Sequence, residues 1–82
     1  METETRTLAE VIAMQNDRNQ RYVMLRHHEH NYDMGLRSGQ PFNSLLWMGQ
    51  QVADERADYE AFAATVDVAK TAYRAHLASA NA

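Results

Sequence analysis

At 82 residues, with 8 basic and 11 acidic side chains and no cysteine, the chain has room for one domain, carries a small negative charge and can form neither a disulfide nor a thiolate metal site. The basic excess that tracks a phosphate backbone is missing, so nucleic acid is not expected as a partner. No apolar run reaches the roughly 18 residues a membrane span needs, so no membrane partner is expected either.

The opening segment METETRTLAEV is acidic and polar where an export signal would be basic and then apolar, which predicts a cytoplasmic protein with residues 1–6 frayed. Thr7-Leu8-Ala9-Glu10 has the S/T-x-x-E form of a capping box, in which hydroxyl and carboxylate satisfy free amides at a helix start. A first helix is therefore expected over about 7–36. Along it Leu8, Val11, Tyr22, Leu25, Tyr32 and Leu36 recur on three- and four-residue steps, with Gln15, Arg18 and Glu29 interrupting the same stripe. Two of the three glycines and the only proline fall between Gly35 and Pro41, so residues 37–43 form the expected turn.

The second helix is expected over about 44–78, with 79–82 frayed. Its main stripe is Leu45, Met48, Val52, Glu55, Tyr59, Phe62, Val66, Ala69, Tyr73 and His76, a seven-residue repeat. Nearly opposite lies a second stripe of small residues: Ala53, Ala57, Ala61, Ala64, Val68, Ala72 and Ala75. Alanine is the best helix former and tolerates exposure. Two apolar sides on one helix are nonetheless more than a two-helix seam can use. The fold class expected is therefore all-α: a long antiparallel two-helix hairpin, single-domain over 1–82, assembling as a homodimeric four-helix bundle through the alanine face. Charge favours the same pairing, because Arg18, Arg21, Arg26 and three histidines face Asp54, Glu55, Asp58, Glu60 and Asp67 when the chain folds about Gln40.

His27-His28-Glu29-His30 is the most unusual stretch, and histidine with carboxylate can hold zinc or iron. Neither Glu29 nor Glu55 has a histidine three residues on, so the di-iron Glu-x-x-His pair is absent, as is His-Glu-x-x-His. Glu29 and Glu55 fall within apolar stripes, and the expected role is a structural polar layer in which Arg26 and His28 neutralise them and set the register. If a metal binds, Glu29, Glu55 and His28 are the ligands; a pH response of the clustered histidines is the third reading. His27 and His30 are placed on the outer side of helix one as candidate partner contacts.

Trp47, the sole tryptophan, stands beside Phe42 and Leu46 at the turn end and off the seam. Such a patch suits either a binding hot spot or the chain's own end cap. Ser38, Ser44 and Ser79 carry no nucleophile-elbow context and there is no glycine-rich phosphate loop, so no enzyme activity and no cofactor are expected. The expected function is a helical interaction module, an adaptor, inhibitor or regulator that pairs with itself and with another protein. Small accessory proteins of bacteria and their phages have this size and simplicity, an analogy of type only. The alternatives are a metal-binding bundle and a structural component of a larger assembly.

Overall fold

Two helices, α1 (Leu8–Ser38) and α2 (Phe42–Ala80), run antiparallel along one seam in the computed structural model, which describes residues 6–80. Among these residues there is no strand. The capping box forms as the sequence predicts: Glu10 N–H donates to Thr7 Oγ1 at 3.2 Å, and Thr7 N–H donates to Glu10 Oε1 at 2.8 Å. Those bonds hold the Glu10 carboxyl below its ordinary range, the backbone amide of Thr7 contributing most and its hydroxyl next.

The helix ends differ from expectation by a few residues, each for a local reason. Helix one continues past residue 36 to Ser38, because Arg37 pairs with Asp33 one turn back and Ser38 Oγ donates to the Gly35 carbonyl at 3.2 Å. Gly39 then stops it in the left-handed conformation, with φ 73°, which a side chain would resist. Only Gly39, Gln40 and Pro41 separate the helices, so helix two starts at Phe42 rather than near 44, closed by a bond from Leu45 N–H to the Pro41 carbonyl. It also keeps Ser79 and Ala80, which were expected to fray. The remaining terminal residues expected to fray, 1–5 and 81–82, lie outside the described residues.

The stripe expected on α2 is the face that meets α1: from Leu45 to Tyr73 all nine of its residues are buried or half-buried. Only His76 is exposed, near the open end where α2, the longer helix by eight residues, outruns α1. On α1 six of the nine stripe positions are buried or half-buried, Gln15 and Glu29 among them. Val11 and Leu25 are buried, Arg18 and Tyr32 half-buried, but Leu8, Tyr22 and Leu36 are about half exposed. Tyr22 nonetheless meets the seam, its ring 5.6 Å from that of Tyr59, beside Arg21, whose guanidinium stacks on Phe62 at 3.9 Å; toward the turn Gly35, not Leu36, lies under Leu45 and Met48. Gly49 does the same on α2, where Tyr32 lies so close that an added methyl would stand 3.0 Å from its hydroxyl.

The product is a rod 61 by 23 by 14 Å, a single layer of two helices. Its radius of gyration is 18.2 Å, against about 12 Å for a compact domain of this length. Among the described residues the buried hydrophobic side chains are Val11, Leu25, Val66 and Ala69, all on the seam.

Candidate functional site

The two helices create two broad sides, and these are built differently. On one side ion pairs lace the seam. Glu29, with a side chain only 18% exposed, accepts from Arg26 on its own helix at 3.2 Å and from Arg56 across the seam. Arg18 pairs with Asp67 at 3.2 Å, and Gln15 Oε1 accepts from both Arg18 and Lys70. One turn from the loop, Arg37 closes on Asp33 at 3.0 Å. Helical spacing puts these residues on the flank opposite His28 and Glu55.

On the other side the seam opens into two adjoining hollows. The larger, about 460 Å³, has Trp47, Met48 and Val52 on its α2 wall and His28 and Asn31 on its α1 wall. The smaller, about 360 Å³, is walled by Met24, Arg21 and Tyr59. Both share Glu55 and Asp58, so they form one shallow groove. His28 Nδ1 donates to Glu55 Oε1 across it at 2.6 Å, and Arg21 grips Asp17 with two bonds at 3.1 and 3.3 Å. Asp54 accepts only from the neutral Gln50, at 2.9 Å, and neither Asp54 nor Asp58 has an ion-pair partner among the described residues.

The polar layer read from the sequence is thus brought together in altered form. Arg26 and His28 do meet the glutamates, but as two separate pairs, one on each side of the seam. Glu29 and Glu55 are partly exposed rather than buried, at 18% and 32%, because a single layer leaves both flanks of its seam open to water. The charge pairing expected between the helices is also thinner: Arg21 and Arg26 turn to acids on their own helix, three or four residues away, while Arg18–Asp67 and His28–Glu55 cross over. The described residues include no group of three His, Asp or Glu side chains placed to hold an ion. His27 and His30 stand exposed on the outside of α1, where His27 Nε2 accepts from Asn31.

At the turn end Phe42, Leu46 and Trp47 are 61–75% exposed, and only Trp47 reaches the groove. Ala53, Ala57, Ala61, Ala64, Val68 and Ala72 are all exposed along the outer edge of α2. Arg56, which crosses to Glu29, was not foreseen, nor was the groove role of Asp54 and Asp58. The signal for the latter was present: two acids one turn apart, the first two turns beyond Trp47, on a flank of α2 that is neither the seam nor the alanine face.

No protein-family model matches the chain, and no curated protein or solved structure matches it. No helix among the described residues is long and apolar enough to cross a membrane.

Proposed function

We propose that this chain is a helical protein–protein interaction module that works as a homodimer, binding rather than catalysing. The observation that carries this reading is its surface. The chain exposes 6318 Å², whereas a compact monomer of its mass exposes about 5,000 Å². The excess of roughly 1,300 Å² is more than the ~800 Å² per partner that a standard interface covers. Ile12, Val23, Leu46, Trp47 and Val68 are each at least half exposed, a cost in water that docking removes.

The dimer contact in this proposal is the alanine edge of α2. Ala53, Ala57, Ala61, Ala64, Val68 and Ala72 carry no side chain larger than valine, so a second α2 can approach closely with many backbone and methyl contacts. A four-helix assembly with the two α2 helices at its centre follows. Sedimentation equilibrium tests it. The expected result is a dimer at micromolar concentration, converted to monomer by the double substitution Ala57→Glu and Ala64→Glu; a well-folded monomeric wild type would overturn the dimer. The role as adaptor, inhibitor or regulator is then tested by the capture of a specific protein from the native host.

A further inference from the structure

On the basis of that interaction reading, we propose that the groove between Trp47 and Asp17 receives a basic amphipathic helix from a partner protein, laid apolar side down with Lys or Arg against Asp54 and Asp58. The two hollows run beside α2 from Trp47 to Tyr59, about 18 Å at 1.5 Å per residue. That is a little over three helical turns, the length over which a docked helix presents anchors at i, i+3 or i+4, and i+7. The floor is apolar and adaptable: Trp47 is 66% and Met24 50% exposed, with Met48, Val52 and Tyr59 half-buried between them. Exposed tryptophan and methionine are the side chains that gain most from a helix laid across them.

Charge selects the partner's sign and also the side on which it docks. On the opposite broad side Glu29 already holds two arginines and Asp67 holds Arg18, so covering it would desolvate satisfied ion pairs for little return. In the groove Arg21 is committed to Asp17 and His28 to Glu55, while Asp54 and Asp58 have no ion-pair partner within 4.0 Å among the described residues, Arg21 lining the same hollow as Asp58 but turned to Asp17. A cationic helix supplies what is missing. A second copy of this chain does not: a two-fold axis through the middle of the groove, where its hollows share Glu55 and Asp58, would set acid against acid.

A displayed library of amphipathic peptides about four turns long, apolar at the anchor positions and randomised among Lys, Arg, Glu, Gln and Ser elsewhere, tests this on the full chain. Lys and Arg should be enriched beside the anchors, and a synthetic peptide from the selection should move Trp47 emission to shorter wavelength. Substituting Asp54→Asn together with Asp58→Asn should weaken that peptide at least about tenfold, roughly 1.4 kcal/mol, with helicity by circular dichroism unchanged. Ala57→Glu with Ala64→Glu should leave its affinity within a factor of about two. Enrichment of acidic sequences, no enrichment, or indifference to the Asn pair overturns the groove assignment. If the dimer and a captured host protein persist despite that outcome, only the groove assignment falls; if they too are absent, the interaction reading falls with it.

Discussion

Thr7 and Glu10 show how much of a helix start one pair of side chains decides. Removing the hydroxyl in Thr7→Ala leaves the Glu10 amide without its acceptor, and the expected loss is about 1 kcal/mol in urea unfolding. Acid acts on the same box. Because the folded state holds the Glu10 carboxyl below its ordinary value, the box contributes fully above that value and fades as pH falls through the lowered one. Protection of the first-turn amides of α1, their exchange taken relative to the intrinsic rate at each pH, should therefore fall on acidification below about pH 4.5 and stay constant between about pH 6 and 8. Uniform protection across that acid range would refute it.

The helical glycines make a sharper comparison. Gly35→Ala places a methyl in ordinary contact, 3.4 Å from Leu45, and gains helix propensity, so it should stabilise by about 0.5–1 kcal/mol. Gly49→Ala gains the same propensity but presses on Tyr32 at 3.0 Å and should stabilise less or destabilise. Chemical denaturation of the two variants side by side decides it, and equal gains would show that Tyr32 yields freely.

At the level of the element, what was readable in the sequence was periodicity and punctuation. The Gly39–Pro41 break, the capping box and the seven-residue repeat of α2 have direct physical causes that need no partner, and the structure has them as expected. The phase of α1 was less legible. Only three of its nine expected stripe positions, Val11, Leu25 and Tyr32, are large apolar residues buried or half-buried, and a stripe through Leu36 looks more apolar than the seam actually used at Gly35. Nothing in α1 by itself announces that Phe62 will take a guanidinium or that Leu45 needs a glycine opposite.

The groove was legible only in part, for a related reason. Asp54 and Asp58 are members of an acidic set that composition pairs with the arginines of α1, and only the side-chain geometry shows that Arg21 and Arg26 turn to nearer acids. Since Leu25 and Val66 are the two side chains almost fully enclosed by the seam, Leu25→Ala should cost about 2–5 kcal/mol. Glu29→Gln, which touches only partly exposed ion pairs, should cost about 0–1 kcal/mol and lose its effect in high salt. A larger penalty at Glu29 than at Leu25 would mean that the polar layer, not the apolar seam, fixes the register.

Over the whole molecule, the thin profile dominates. A lone hairpin has a Cα radius of gyration of 18.2 Å, so small-angle scattering from a solution of monomers should give a value close to that apart from hydration. An edge-to-edge dimer of α2 helices doubles the scattering mass and widens the particle while leaving its length near 61 Å, and the distance distribution separates the two. An end-to-end arrangement would lengthen the particle instead and contradict pairing through the alanine edge.

The two broad sides of the hairpin are unlike, and the alanine edge belongs to neither. If two copies join at that edge with their α2 helices antiparallel, the two-fold axis stands perpendicular to the layer and both grooves look the same way. They then lie about one hairpin width, 23 Å, apart across the layer and are offset along it as well, because each groove sits toward its own turn end. A target carrying two basic helices would meet both at once, and its second contact would form at the millimolar effective concentration that a short tether provides. With the α2 helices parallel, the grooves would point in opposite directions and the same chain would join two targets rather than hold one twice. The sense of a single helix pair thus decides between a clamp and a bridge.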